Sequence, residues 1–108
     1  MIRVITLLLL ILCVHATCDC TCDYEAVGRG TWTLLHEIVK RPPNERVEAA
    51  FNSFMWSLAE LYPCETCRNH LGEYLYNHPP TFDPIYLCQL HNDVNKRLGK
   101  PQQPCWDI

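Results

Sequence analysis

"LCQLHNDVNKRLGKPQQPC", residues 87–105, sets Cys88, His91, Asn92 and Asn95 at spacings of three and four, which gather on one face of a helix. Gly99 readily takes the left-handed conformation that closes a helix, and Pro101 forbids continuation. Upstream, Asp83 and Pro84 supply a start, Pro84 at the favoured first-turn position. The stretch therefore predicts a helix from near Asp83 to Leu98, with an imidazole and two amides converging beside a cysteine. Cys105 lies past a Pro-containing return, and a disulfide between it and Cys88 would tie the tail back onto that helix.

Working outward, three further helices are expected. In the first, from about Gly30 to Lys40, Trp32, Leu35 and Val39 recur at helical spacing before Pro42 and Pro43 stop it. The second runs from about Asn44, a candidate cap, to Leu61, with Val47, Ala50, Phe51, Phe54, Leu58 and Leu61 on one side. Pro63 ends it, and a third begins at "YPCETC" (62–67) and continues through Leu71, Tyr74 and Leu75 to "NHPP". Strand signals are nearly absent, so the expected fold is all-α, a compact four-helix bundle.

The chain has 108 residues, eight of them cysteine, and a net charge of -3. That charge and the lack of a basic run argue against nucleic acid. Residues 1–16, "MIRVITLLLLILCVHA", carry one early arginine and a short apolar run ending in small residues, the form of a secretory signal peptide cleaved after Ala16. The expected destination is the secretory pathway, the endoplasmic reticulum lumen or outside the cell. The alternative is a protein anchored in a membrane, a viral one included, through residues 4–14. Cleavage would leave seven cysteines, an odd number, so one thiol stays free or pairs with another chain. Residues 17–27, with Cys18, Cys20 and Cys22 in "TCDCTC", are expected to form a flexible arm ahead of a folded unit spanning 28–108.

Cys64 and Cys67 stand at the start of the third helix, where free backbone N–H groups and the helix dipole favour thiolate. Spacing alone leaves three readings open: a redox pair, a structural staple, or a zinc clip completed by His70 and by Cys88 or His91. "GRGTWTLLHEI" (28–38) places Arg29, Trp32 and His36 on one helical face. With the dithiol and the face of the fourth helix, these residues suit a pocket for a planar, phosphate-bearing cofactor; taken singly, each also suits an ordinary core or surface position.

Together, "GRGTWTLLHEI", "YPCETC" and "LCQLHNDVNKRLGKP" (87–101) resemble the Erv/ALR family of FAD-dependent sulfhydryl oxidases. The resemblance implies a four-helix bundle with a short extra helical turn, binding FAD, in a homodimer. It implies no metal. Cys64–Cys67 would be the active disulfide, Cys67 next to the flavin and Cys64 exchanging with incoming thiols. Cys88–Cys105 would be structural, and Cys18, Cys20 and Cys22 candidates for a shuttle disulfide. For FAD the expected contacts are Arg29, Trp32, His36, Tyr62, His91, Asn92, Asn95, Lys96 and Lys100. The implied activity introduces disulfides into thiol-bearing client proteins, directly or through a thioredoxin-like carrier, with O2 as acceptor and H2O2 as product. Two other functions compete: an inactive cysteine-rich binding module, and a zinc-stabilised helical domain.

Overall fold

A computed structural model describes residues 23–106. The expected arm cysteines Cys18, Cys20 and Cys22 and the expected leader, residues 1–16, lie outside the described residues. Four helices follow in order: α1 (Tyr24–Ile38), α2 (Glu45–Leu61), α3 (Glu65–Asn77) and α4 (Pro84–Leu98). Among the described residues there is no strand, and beyond α4 no further helical turn forms.

Each start has a local cause. Asp23 and Asn44 cap α1 and α2 by accepting from the N–H groups of Ala26 (3.0 Å) and Val47 (2.9 Å). Cys64 caps α3 through its sulfur, which accepts from the Cys67 N–H at 3.2 Å. Asp83 accepts from Ile85 at 3.0 Å, with Pro84 as the first residue of α4. Gly99, at φ 70°, closes α4 in the left-handed region. The cap at Asp23 is what moves the start of α1 six residues ahead of the expected Gly30; Gly28 and Gly30 weaken the helical pattern there, but one bonded cap and the packing of α1 outweigh them. The last residues expected in the irregular arm, 24–27, are therefore helical.

α2 packs against α3 and α1 against α4. The core they enclose contains Leu35 and Val39 from the end of α1, Phe51 and Met55 of α2, Tyr74 and Leu75 of α3, and Tyr86, Leu87 and Leu90 of α4. Met55, Leu75 and Leu87 are fully enclosed. In α2 the buried stripe is Phe51 and Met55 with Leu58 partly buried beside them, while Ala50, Phe54 and Leu61 face outward, Leu61 at 78% exposure. The expected one-sided set is corrected on this point: the apolar residues of α2 cover more than one face, and packing on α3 selects which is buried.

Candidate active site: a dithiol beside an aromatic cleft

A cleft of about 920 Å3 opens between α1, the C-terminal half of α2, the start of α3 and the outer half of α4. Its floor is apolar, with Leu35, Met55, Leu58, Leu71, Leu90 and Val94. Planar rings line one side. Trp32 stacks on His91 with centroids 3.9 Å apart and planes 8° from parallel, and His36 Nε2 lies 3.2 Å from His91 Nδ1. Burial lowers the pKa of His36, with Lys40 adding to the effect; burial lowers that of His91 also, aided by His36 and Lys100. Both rings are thereby held neutral near pH 7, and a neutral pair can share one proton between facing nitrogens.

At the edge of the cleft Cys64 and Cys67 are joined in a disulfide, with Cα atoms 5.2 Å apart. Cys67 belongs to the cleft wall; Cys64 does not and is half-buried at the helix cap. Tyr62 lines the cleft with its hydroxyl close to Gly28 of α1: a Cβ on that glycine would lie 3.7 Å from it. Arg29, Asn95 and Lys100 also line the space, Arg29 in an exposed ion pair with Glu25 at 3.8 Å. An apolar floor, flat rings and peripheral cations fit a planar group carrying phosphates.

Two expected contacts lie elsewhere. Lys96 is exposed and outside the lining. Asn92 faces the C-terminal tail: its Nδ2 donates to the Gln103 carbonyl (2.6 Å), and its Oδ1 accepts from the Gln103 N–H (2.8 Å). The same Nδ2 is 3.2 Å from Cys105 Sγ. This clamp sits over the Cys88–Cys105 disulfide, whose Cα atoms are 5.8 Å apart. The helical-face argument put Asn92 beside His91, but adjacent residues on a helix diverge by about 100°, enough to send one into the cleft and the other to the tail. Sequence reasoning does not single out Met55 or Leu90 for the floor, because an apolar residue at helical spacing carries no signal that separates a cleft floor from an ordinary core position. His70 is exposed on α3, and among the described residues no three metal-binding side chains cluster.

The fold and this site define a class: small helical proteins that hold a Cys-x-x-Cys disulfide against an aromatic cleft. Residues 29–108 match the profile of the Erv1 / Alr family, to which this chain belongs. It is 34% identical over 93 residues to the mitochondrial FAD-linked sulfhydryl oxidase erv1 of Schizosaccharomyces pombe, covering 77% of this chain and 51% of the relative. To the FAD-linked sulfhydryl oxidase ERV1 of Oryza sativa subsp. japonica it is 39% identical over 89 residues, 75% of this chain and 46% of the relative. The chain thus spans about half the length of these relatives. Among solved structures, the FAD-binding domain of Erv1 from Saccharomyces cerevisiae matches with a TM-score of 0.71 and 31% identity, over 77% of this chain and 87% of that one.

The secretory destination, and the membrane-anchored alternative with it, is corrected by these relatives, since the fission-yeast protein is a mitochondrial enzyme by name. No helix among the described residues is long and apolar enough to cross a membrane. The apolar run at residues 4–14 records hydrophobicity, whereas a compartment is chosen by whichever receptor reads the segment, so the run does not carry the assignment.

Proposed function

We propose that this chain is an FAD-dependent sulfhydryl oxidase that forms disulfides in client proteins. The observation that carries the reading is the Cys64–Cys67 disulfide standing with Cys67 in the wall of a cleft lined by Trp32 and His91. The lining supports a holding set of Trp32, His36 and His91 against flat rings, Asn95 and Tyr62 for polar edges, and Arg29 and Lys100 for the phosphates. Asn92 and Lys96 are not in that set.

In the reaction, a client thiolate attacks Cys64 Sγ. The Cys64–Cys67 bond breaks and its electron pair leaves on Cys67 Sγ, giving a mixed disulfide between client and Cys64. A second client thiolate attacks the client sulfur of that bond and expels the Cys64 thiolate. The client gains a disulfide, and the Cys64–Cys67 pair holds the two electrons, with the two protons released from the client thiols. FAD held in the cleft that Cys67 lines would supply the two-electron acceptor for that pair, with O2 as the expected final acceptor and H2O2 as the product. Cys64, outside the cleft, suits the exchanging role, and Cys67, in the wall, the role nearest the cofactor. Clients reach Cys64 directly, through an arm disulfide among Cys18, Cys20 and Cys22, or from a thioredoxin-like carrier. A homodimer is supported by the exposed apolar side chains Leu34, Phe54 and Trp56 on α1 and α2.

The test is an absorbance spectrum of the purified protein followed by oxygen consumption on adding dithiothreitol. Flavin bands with thiol-dependent oxygen uptake and peroxide are expected. A colourless protein that neither takes up FAD nor consumes oxygen would overturn the reading.

A further inference from the structure

Arg68 directly follows Cys67 and is half-buried in the first turns of α3. Its side chain turns back along the chain: Nη1 donates to the carbonyl of Tyr62 at 2.5 Å and approaches that of Pro63 at 3.4 Å. These are the two peptides that lead into Cys64. The guanidinium thus binds the segment that ends in the sulfur cap of α3, where the Cys67 N–H already points at Cys64 Sγ. Among the described residues Arg68 takes part in no ion pair, so no bound carboxylate cancels its charge.

We propose that Arg68 is a positioning and charge-tuning residue of the Cys64–Cys67 centre, pinning the 62–64 segment and favouring the opened, thiolate-bearing form of the pair. The inference rests on the redox reading of that pair. When a reducing dithiol opens the disulfide, it gives up two electrons, is itself oxidised to a disulfide, and leaves both sulfurs of the pair as thiol or thiolate. The Cys64 thiolate stays at the helix cap, accepting from the Cys67 N–H. The positive charge of Arg68 is held one to two residues away through the backbone carbonyls it binds. Negative charge that appears only in the opened form is stabilised by a fixed cation placed before the reaction. A stabilised reduced form makes a disulfide a stronger oxidant. The same bonds fix Tyr62 on the cleft wall, so one side chain couples the geometry of the dithiol to that of the cleft.

The experiment is a redox titration of the purified holoprotein in dithiothreitol buffers, read by thiol alkylation and the mass of the peptide containing Cys64 and Cys67. Wild type is compared with Arg68→Gln, which keeps a donor for the carbonyls and loses the charge, and with Arg68→Lys, which keeps the charge and loses the planar fork. For Arg68→Gln the equilibrium constant for opening is expected to fall about three- to tenfold, or by about 15–30 mV at about 30 mV per decade. Arg68→Lys is expected to lie between it and wild type, and remains informative if the glutamine variant does not fold. Constants for both variants within about 1.5-fold of wild type, with or without a lower melting temperature, would overturn the role of Arg68 while leaving the redox centre in place. A wild-type pair that does not open at any dithiothreitol ratio would instead overturn the redox reading itself.

Discussion

Asn92 shows how one side chain can secure a segment without regular structure. Residues 100–105 form no helix, yet the amide of Asn92 meets both backbone groups of Gln103, as a neighbouring strand would. Asn92→Ala removes both bonds and is expected to lower stability by about 1–2 kcal/mol, seen as a drop in melting temperature with flavin absorbance retained; an unchanged melting temperature would count against the clamp. The imidazoles make a second argument at this scale. Burial lowers the pKa of His36 and His91 in the folded state, so below the ordinary value of 6.5 the unfolded chain binds protons that the native state resists. Stability is therefore complete above pH 6.5 and falls as pH drops through the lowered folded values. Thermal melts of the FAD-free protein from pH 7.5 to 5 are expected to show this loss, and His36→Gln to reduce it.

The boundaries of the helices are decided by short-range chemistry, which is why three of the four were legible. Asn44, Pro63, the Pro79–Pro80 pair, Asp83 with Pro84, and Gly99 are caps and breakers whose effects act within a turn. Asn44→Ala deletes the bond to the Val47 N–H and is expected to cost about 1 kcal/mol, measured by denaturant unfolding; no change would mean that Glu45 and Glu48 alone satisfy the first turn. The start of α1 was less legible because Asp23 looks like one more polar residue in a cysteine-rich tract. Its bond to Ala26 is a feature of the folded chain that composition does not show. Cys64 is similar: its place after a proline marked a helix start, but that its sulfur is itself the cap shows only in the folded geometry.

At the scale of the molecule, the pairing of α1 with α4 and of α2 with α3 leaves a gap between the pairs, and that gap is the cleft. The tail is returned to α4 by the Cys88–Cys105 disulfide, and Lys100 is thereby kept at the cleft. Cys88→Ser opens that link and, for a loop of this length, is expected to lower stability by about 3 kcal/mol, while initial oxidation of dithiothreitol by the folded, flavin-loaded protein changes little. Equal melting temperatures for the variant and wild type would show that Asn92 alone suffices to hold the tail.

By itself the sequence determined that four helices form and where three of them begin and end, because caps, prolines and apolar period act locally, and it pointed to the chemistry proposed for the site, because "YPCETC" and the residues around His91 are particular enough to carry a family resemblance. Only the tertiary structure decided that Phe51, Met55 and Leu58 form the inner face of α2, that Asn92 serves the tail while its neighbour His91 serves the cleft, and that Arg68 reaches back to the peptides ahead of Cys64. The first two depend on which side of a helix meets its neighbour, and the third on which way one long side chain turns at the start of α3. A period of 3.6 residues says that a face exists; the packing of one helix on another says where it points.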